Sequence, residues 1–251
     1  MMESGQVAWV TGSSTGIGRA VAVGLAEEGY RVVVHYNASE EEARRVVEEI
    51  KASGGEAMLV GGDVSDAGEV ARMVGEIEDH FGRVDALVNN AGSLIERRGF
   101  SEMTEDLWDR VMDVNLKSVY LCSRAVLPMM KRQGGGRIVN MTSVAARNGG
   151  GPGSAAYATA KAGVSNLTRA MAKELVSENI LVNAVAPGVI TTPFHDRFTP
   201  PDVRENLLRT IPIGREGTPE ETAKAVLFLA SAAADYLVGE IIEVNGGQLM
   251  S

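Results

Sequence analysis

From Val7 to Val60, short apolar runs alternate with segments whose apolar residues recur every three or four positions. That alternation predicts β-α-β units feeding a parallel sheet. VAWV, VVV and AMLV are the predicted strands, and the segment after the first carries Ile17, Ala20, Val21 and Leu25 on one helical stripe. Ser39 with Glu42 has the spacing of a capping box, leading into the stripe Ala43, Val46, Val47 and Ile50 and stopping at Gly54-Gly55. Asp66 with Glu69 repeats the device ahead of Val70, Met73, Val74 and Ile77. Further on, ALV, RIVNM, ILVNAVA and EIIEV predict strands. Helices are predicted from about Glu105 to Lys131, over 155–178 and around Ala223 to Ala230. The pattern is that of a doubly wound α/β fold in a single domain spanning 1–251.

Composition narrows the picture. A length of 251 residues suits one α/β domain, and 45% hydrophobic residues suffice for a sizeable core. The N-terminal MMESGQ has no basic region followed by an apolar stretch, and no run reaches the ~18 apolar residues of a membrane span. A cytoplasmic location is therefore expected. The one cysteine, Cys122, excludes an internal disulfide and lies in apolar surroundings, as a small core residue would. His35, His80 and His195 are too scattered to suggest a metal site. The net charge of −9 argues against nucleic acid or an anionic membrane as partner.

Two stretches carry chemistry. Between the first strand and first helix lies Thr11-Gly12-Ser13-Ser14-Thr15-Gly16-Ile17-Gly18. Glycines at Gly12, Gly16 and Gly18 let the backbone turn tightly and approach a pyrophosphate, whose charge the helix N-terminus favours. No Gly-Lys-Ser/Thr follows, which disfavours a P-loop phosphotransferase. The second stretch is Tyr157-Ala158-Thr159-Ala160-Lys161. Residues four apart share a helix face, so the phenol and the ammonium can meet in one pocket. A positive charge beside a phenol stabilises phenolate and lowers its pKa from roughly 10, so Tyr157 could exchange protons near neutrality. Ser143 follows RIVNM, fourteen residues before Tyr157, where its hydroxyl can reach the same face. Asn115, inside a long predicted helix, needs partners for its amide.

TGSSTGIG, Asp63-Val64, Asn89-Asn90-Ala91-Gly92, Asn115, Ser143, Tyr157-x-x-x-Lys161 and Pro187-Gly188, in that order along essentially the whole chain, resemble the short-chain dehydrogenase/reductase family. The resemblance implies a seven-stranded parallel Rossmann sheet with a nicotinamide cofactor across its C-terminal edge. It assigns the pyrophosphate cradle to Gly12, Ser14, Thr15, Gly16, Ile17 and Gly18. Asp63, with Val64 beside it, would take the adenine amino group, and Asn89, Ala91 and Gly92 the adenosine ribose. Pro187, Gly188, Ile190 and Thr192 would border the nicotinamide carboxamide and pyrophosphate. Tyr157 would be the acid/base, Lys161 would lower its pKa and orient the ribose, Ser143 would hold the substrate oxygen, and Asn115 a water relaying protons to Lys161. The stretch 193–214, with four prolines, corresponds to the family's variable substrate lid, and the Gly-rich RNGGGPGSAA to one wall of the substrate site.

The end of the second strand bears on cofactor choice. No acid stands at Tyr36 to bind a ribose 2′-hydroxyl, and Asn37 and Ser39 can donate to a 2′-phosphate. NADP(H) is favoured, with NAD(H) left open. Within the family the resemblance is greatest to 3-oxoacyl-acyl-carrier-protein reductases and glucose-dehydrogenase-like enzymes. The substrate is accordingly a 3-oxoacyl thioester or a small sugar or keto compound. Glu178 stands where carrier-protein reductases commonly place a base, and Arg97-Arg98 could attract a carboxylate or phosphate on a substrate. A catalytically silent nucleotide-binding scaffold is the alternative, against which the intact Asn115, Ser143, Tyr157 and Lys161 set argues. Small residues along 155–163 and apolar residues around most of the Glu105 to Lys131 helix predict burial against further copies of the chain, and the resemblance implies a homotetramer.

Overall fold

Every residue of the first strand, β1 (Val7–Val10), is buried, with side chains alternating between two cores. Val7 and Trp9 face one, Ala8 and Val10 the other, as the two-residue period of a strand covered on both faces demands. The computed structural model describes residues 5–250. After β1 come α1 (Gly16–Glu27), β2 (Arg31–Tyr36), α2 (Glu40–Ala52), β3 (Ala57–Gly61), α3 (Ala67–Phe81) and β4 (Ala86–Asn89). The second half runs through α4 (Glu105–Met112), α5 (Ser118–Arg132), β5 (Gly136–Met141), α6 (Ala145–Asn148), α7 (Ala155–Leu175) and β6 (Ile180–Pro187). It closes with α8 (Pro193–Phe198), α9 (Pro201–Leu208), α10 (Pro219–Ala230) and β7 (Ile241–Val244).

The seven strands form one sheet of order β3-β2-β1-β4-β5-β6-β7, every pair parallel. Strand order reverses between β1 and β4, and a crevice opens at the carboxyl ends of strands at such a reversal. The loops leaving β1 and β4 therefore lie side by side.

Local sequence explains most helix ends. Asp66 caps α3 by accepting from the Gly68 and Glu69 amides, and Gly82 ends it at φ 71°. The Ser39-Glu42 capping box does not form: Ser39 makes no capping bond, and three glutamates in the first turn of α2 complement the helix dipole instead. A capping box does form at Thr218 and Glu221, so α10 begins four residues before the predicted Ala223. The predicted helix from Glu105 to Lys131 is two α-helices joined by a wider π turn at Asp113–Lys117. Asn115 sits in that turn, and π turns gather at functional positions. Cys122 is buried in the second core, as expected, and burial pushes its thiol up to about 12.

Candidate active site

The glycine loop is pinned from three sides. Thr11 Oγ1 accepts from the Asn90 and Ala91 amides at 3.0 Å each, and Asn90 Nδ2 donates to the carbonyls of Thr11 and Gly12 at 2.9 Å. The Gly12 amide donates to His35 Nδ1 at 2.9 Å, and the ring's other nitrogen lies 3.0 Å from the Gly62 carbonyl. Those partners fix the neutral tautomer with the proton on Nε2. Burial, opposed by the Gly62 hydrogen bond and the Asp63 charge, pulls the His35 pKa down to about 4.

Nothing larger than glycine fits this cradle. A Cβ at Gly18 would lie 2.3 Å from the Gly12 carbonyl oxygen and 2.5 Å from Asn90 Nδ2, and Gly12 and Gly16 hold φ of 62° and 55°. The N-terminus of α1 opens beside it, with no acid in its first turn and no side-chain cap from Thr15. An anion such as a dinucleotide pyrophosphate suits that position. The residues present thus fit the dinucleotide that the sequence implies.

One cleft of about 660 Å³ runs along the carboxyl edge of the sheet, within the range of small-molecule sites. Gly12, Ser14, Thr15, Gly16, Ile17 and Gly18 line it at the switch point. Tyr36, Asn37 and Ser39 line it beyond β2, and Asp63 and Val64 beyond β3. Ala91 and Gly92 line it beyond β4, and Pro187, Gly188, Ile190 and Thr192 at and beyond the end of β6. Asp63 accepts from the Ser65 amide and hydroxyl at 2.8 and 2.7 Å, which orients its carboxylate. No acid stands at Tyr36 itself, but one lies close by in α2. Desolvation and then the neighbouring Glu40, which hydrogen-bonds the phenol, raise the Tyr36 pKa, while Arg44 pairs with Glu40.

Two predicted residues lie behind the cleft. Asn89 is turned into the protein, donating to Ser123 Oγ and Asn140 Oδ1 at 3.0 and 2.8 Å. Strand alternation sends its side chain inward, and Asn90 takes the cleft position. Asn115 is wholly buried and clamps Ser93, accepting from its amide at 3.1 Å and donating to its carbonyl at 2.6 Å. A Cβ on Gly92 would lie 2.8 Å from Asn115 Oδ1 and 3.3 Å from Lys161 Nζ, so Asn115 and Lys161 back onto the same glycine.

Tyr157 and Lys161 share one face of α7, with the ammonium 5.7 Å from the phenol ring centroid. Lys161 Nζ donates to the Met141 carbonyl at 2.7 Å, and Ser143 hydrogen-bonds the Tyr157 hydroxyl. The expectation that Lys161 lowers the phenol's pKa does not hold here. Burial pushes Tyr157 up to about 12, the Ser143 bond opposing it, and burial pulls Lys161 down to about 8. Desolvation disfavours whichever form is charged, so it moves a phenol and an amine in opposite directions. Phe194 of α8, which also lines the cleft, has its ring centroid 5.7 Å from that of Tyr157.

A switch-point cleft with a glycine cradle after β1 and a serine, tyrosine and lysine gathered beyond the end of β5 defines a dinucleotide-dependent oxidoreductase. The chain belongs to the short-chain dehydrogenase/reductase family, and acts at a carbonyl or the corresponding alcohol. A family model described as enoyl-(acyl carrier protein) reductase matches residues 12–248. A protein named 3-oxoacyl-[acyl-carrier-protein] reductase FabG from Staphylococcus epidermidis is 46% identical over 97% of this chain and 98% of its own. A Synechocystis protein named 3-oxoacyl-[acyl-carrier-protein] reductase is 46% identical over 98% and 97%. The FabG of Thermotoga maritima is 40% identical over 98% and 99%.

Proposed function

We propose that the protein reduces the carbonyl of a 3-oxoacyl thioester with NADPH. The observation that carries the chemistry is the convergence of the Ser143 and Tyr157 hydroxyls in the cleft, on the other side of the glycine cradle from Asp63. Two hydroxyls at one point hold a carbonyl oxygen rather than an isolated double bond, and the names of the relatives point to the thioester. Ser143 donates to that oxygen and stabilises the charge it gains. Tyr157 delivers the proton, and Lys161, held by Met141, replenishes it along a path that Asn115 keeps in register through Ser93. The nicotinamide, held by the residues from Gly12 to Gly18 and from Pro187 to Thr192, supplies hydride when bound. Asn37 and Ser39 favour a 2′-phosphate. The segment 193–214 serves as the substrate lid, and a soluble cofactor implies a cytoplasmic location.

We further propose a homotetramer. Met112, Leu116 and Tyr120 face Gly163, Leu167 and Ala170 across an open apolar groove. Tyr236 and Phe100 are 101% and 83% exposed elsewhere, large apolar surfaces of the kind that assembly covers. Light scattering at micromolar concentration should give four copies, and a persistent monomer would rule this out.

Consumption of NADPH with a 3-oxobutyryl thioester tests the reaction. Tyr157→Phe should abolish turnover while NADPH still binds, as followed by its fluorescence. More than a few per cent of residual activity would contradict the role of Tyr157.

A further inference from the structure

Arg97 and Arg197 both line the cleft, and neither is paired with a carboxylate among the described residues. Their neighbours are paired. Arg98 meets Glu96 at 2.6 Å, Arg204 meets Asp196 and Glu216 at 2.6 and 2.5 Å, and Arg209 meets Glu205 at 2.9 Å. So the arginines of this region that face away from the cleft are neutralised, and the two that face it are not.

Both are fixed at Phe198. Arg97 donates through Nε to the Phe198 carbonyl and through Nη1 to the Pro152 carbonyl at 2.9 Å, bridging α8 and the Gly-rich wall. Arg197 lies over the Phe198 ring at 5.1 Å. A guanidinium has five N–H donors, so Arg97 keeps donors free after holding the two carbonyls. Among the described residues Asp63 is the one carboxylate lining the cleft, and it follows β3 at the opposite edge of the sheet from β6 and the segment after it. The half of the cleft holding Tyr157 is therefore cationic in a chain whose net charge is −9.

We propose that Arg97 and Arg197 bind an anionic group, phosphate or carboxylate, carried by the carbonyl substrate away from its reacting carbon. This inference rests on the carbonyl-reductase reading. Arg97 then determines specificity, its fork taking the anion while its position is held by the two carbonyls.

Matched substrates test it. S-acetoacetyl-4′-phosphopantetheine against S-acetoacetyl-pantetheine isolates the phosphate, and acetoacetate against its ethyl ester isolates the carboxylate. In one pair the wild type should favour the charged member in kcat/KM by on the order of tenfold or more, through KM, the worth of one charge-assisted contact. That pair identifies the anion. Arg97→Gln with Arg197→Gln should erase the preference, with a smaller loss on the neutral member, and the double lysine variant should restore most of it. Equal losses on charged and neutral members, or no preference in either pair, would overturn the proposal. Calorimetric titration of 4′-phosphopantetheine and pantetheine, and of 3-hydroxybutyrate and its ethyl ester, reads the same preference without turnover. Silence in all four assays would thus refute the reductase reading, while binding would still decide the role of the arginines.

Discussion

Protonating His35 should loosen the glycine loop, because the ring is neutral in the fold for two structural reasons. Its Nδ1 accepts from the Gly12 amide, a bond that imidazolium cannot make, and the site is desolvated. With an ordinary value of 6.5 in the unfolded chain and about 4 in the fold, the unfolded state binds more protons between those pH values. Stability is fully present above the unfolded value, falls with pH through the window, and levels off below about 4. The whole interval is worth on the order of 3 kcal/mol, and the loss between about pH 7.5 and about pH 5 is on the order of 2 kcal/mol. Urea unfolding at the two pH values measures it, with His35→Asn separating this histidine from the carboxylates that titrate nearby. Asparagine can still accept from Gly12 but carries no titrating proton. It should cost about 1–2 kcal/mol at the higher pH for the lost contact with Gly62 and lose less on acidification, so that the gap narrows. A variant with the same acid sensitivity as the wild type would refute the reasoning.

Gly18→Ala should lower dinucleotide affinity by at least about tenfold and destabilise the chain by roughly 1–3 kcal/mol, because its Cβ meets backbone that Asn90 holds in place. Gly75→Ala, whose Cβ meets nothing within 4 Å inside α3, should instead stabilise by about 0.5–1 kcal/mol in thermal unfolding. Reduction should be insensitive to pH around neutrality, since a phenol near 12 stays protonated there, whereas alcohol oxidation should rise steadily with pH. An oxidation optimum at neutral pH would count against that assignment. Tyr36→Asp should reverse a preference for NADPH over NADH in kcat/KM, and equal or better use of NADH by the wild type would show the proposed preference wrong.

The architecture was legible because it rests on periodicity. Fully buried strands read as unbroken apolar runs, and the stripe Ala43, Val46, Val47, Ile50 is buried as predicted. Glycine spacing located the cradle, since only a backbone constraint explains three glycines in seven residues. Interactions that depend on which way one side chain turns were not legible. Asn89 and Asn90 are chemically identical neighbours, and only strand alternation at the end of β4 sends one inward and the other to the loop. His35 gave no signal because its partners, Gly12 and Gly62, are backbone groups distant in sequence. The capping box failed at Ser39 and held at Thr218 although both have the right spacing, because the residues before a helix must also enter it with suitable dihedrals. Ser39 lies at ψ 64°, and Thr218 at ψ 158°.

The pKa values of Tyr157 and Lys161 show why pairing along a helix face was an incomplete argument. Four-residue spacing brings the side chains to one pocket, but the Coulombic effect depends on distance and on whether the ammonium is charged. At 5.7 Å from the ring, and itself drawn down to about 8, Lys161 stabilises phenolate less than burial opposes it. The phenol thus remains a proton donor at neutral pH, which is the form that carbonyl reduction requires. Ser143 is the group that moderates its acidity directly, by donating its one hydroxyl proton to the phenol oxygen. In the proposed reaction that proton would turn to the carbonyl oxygen instead, beside the one Tyr157 donates, with Lys161 behind them as the proposed proton source.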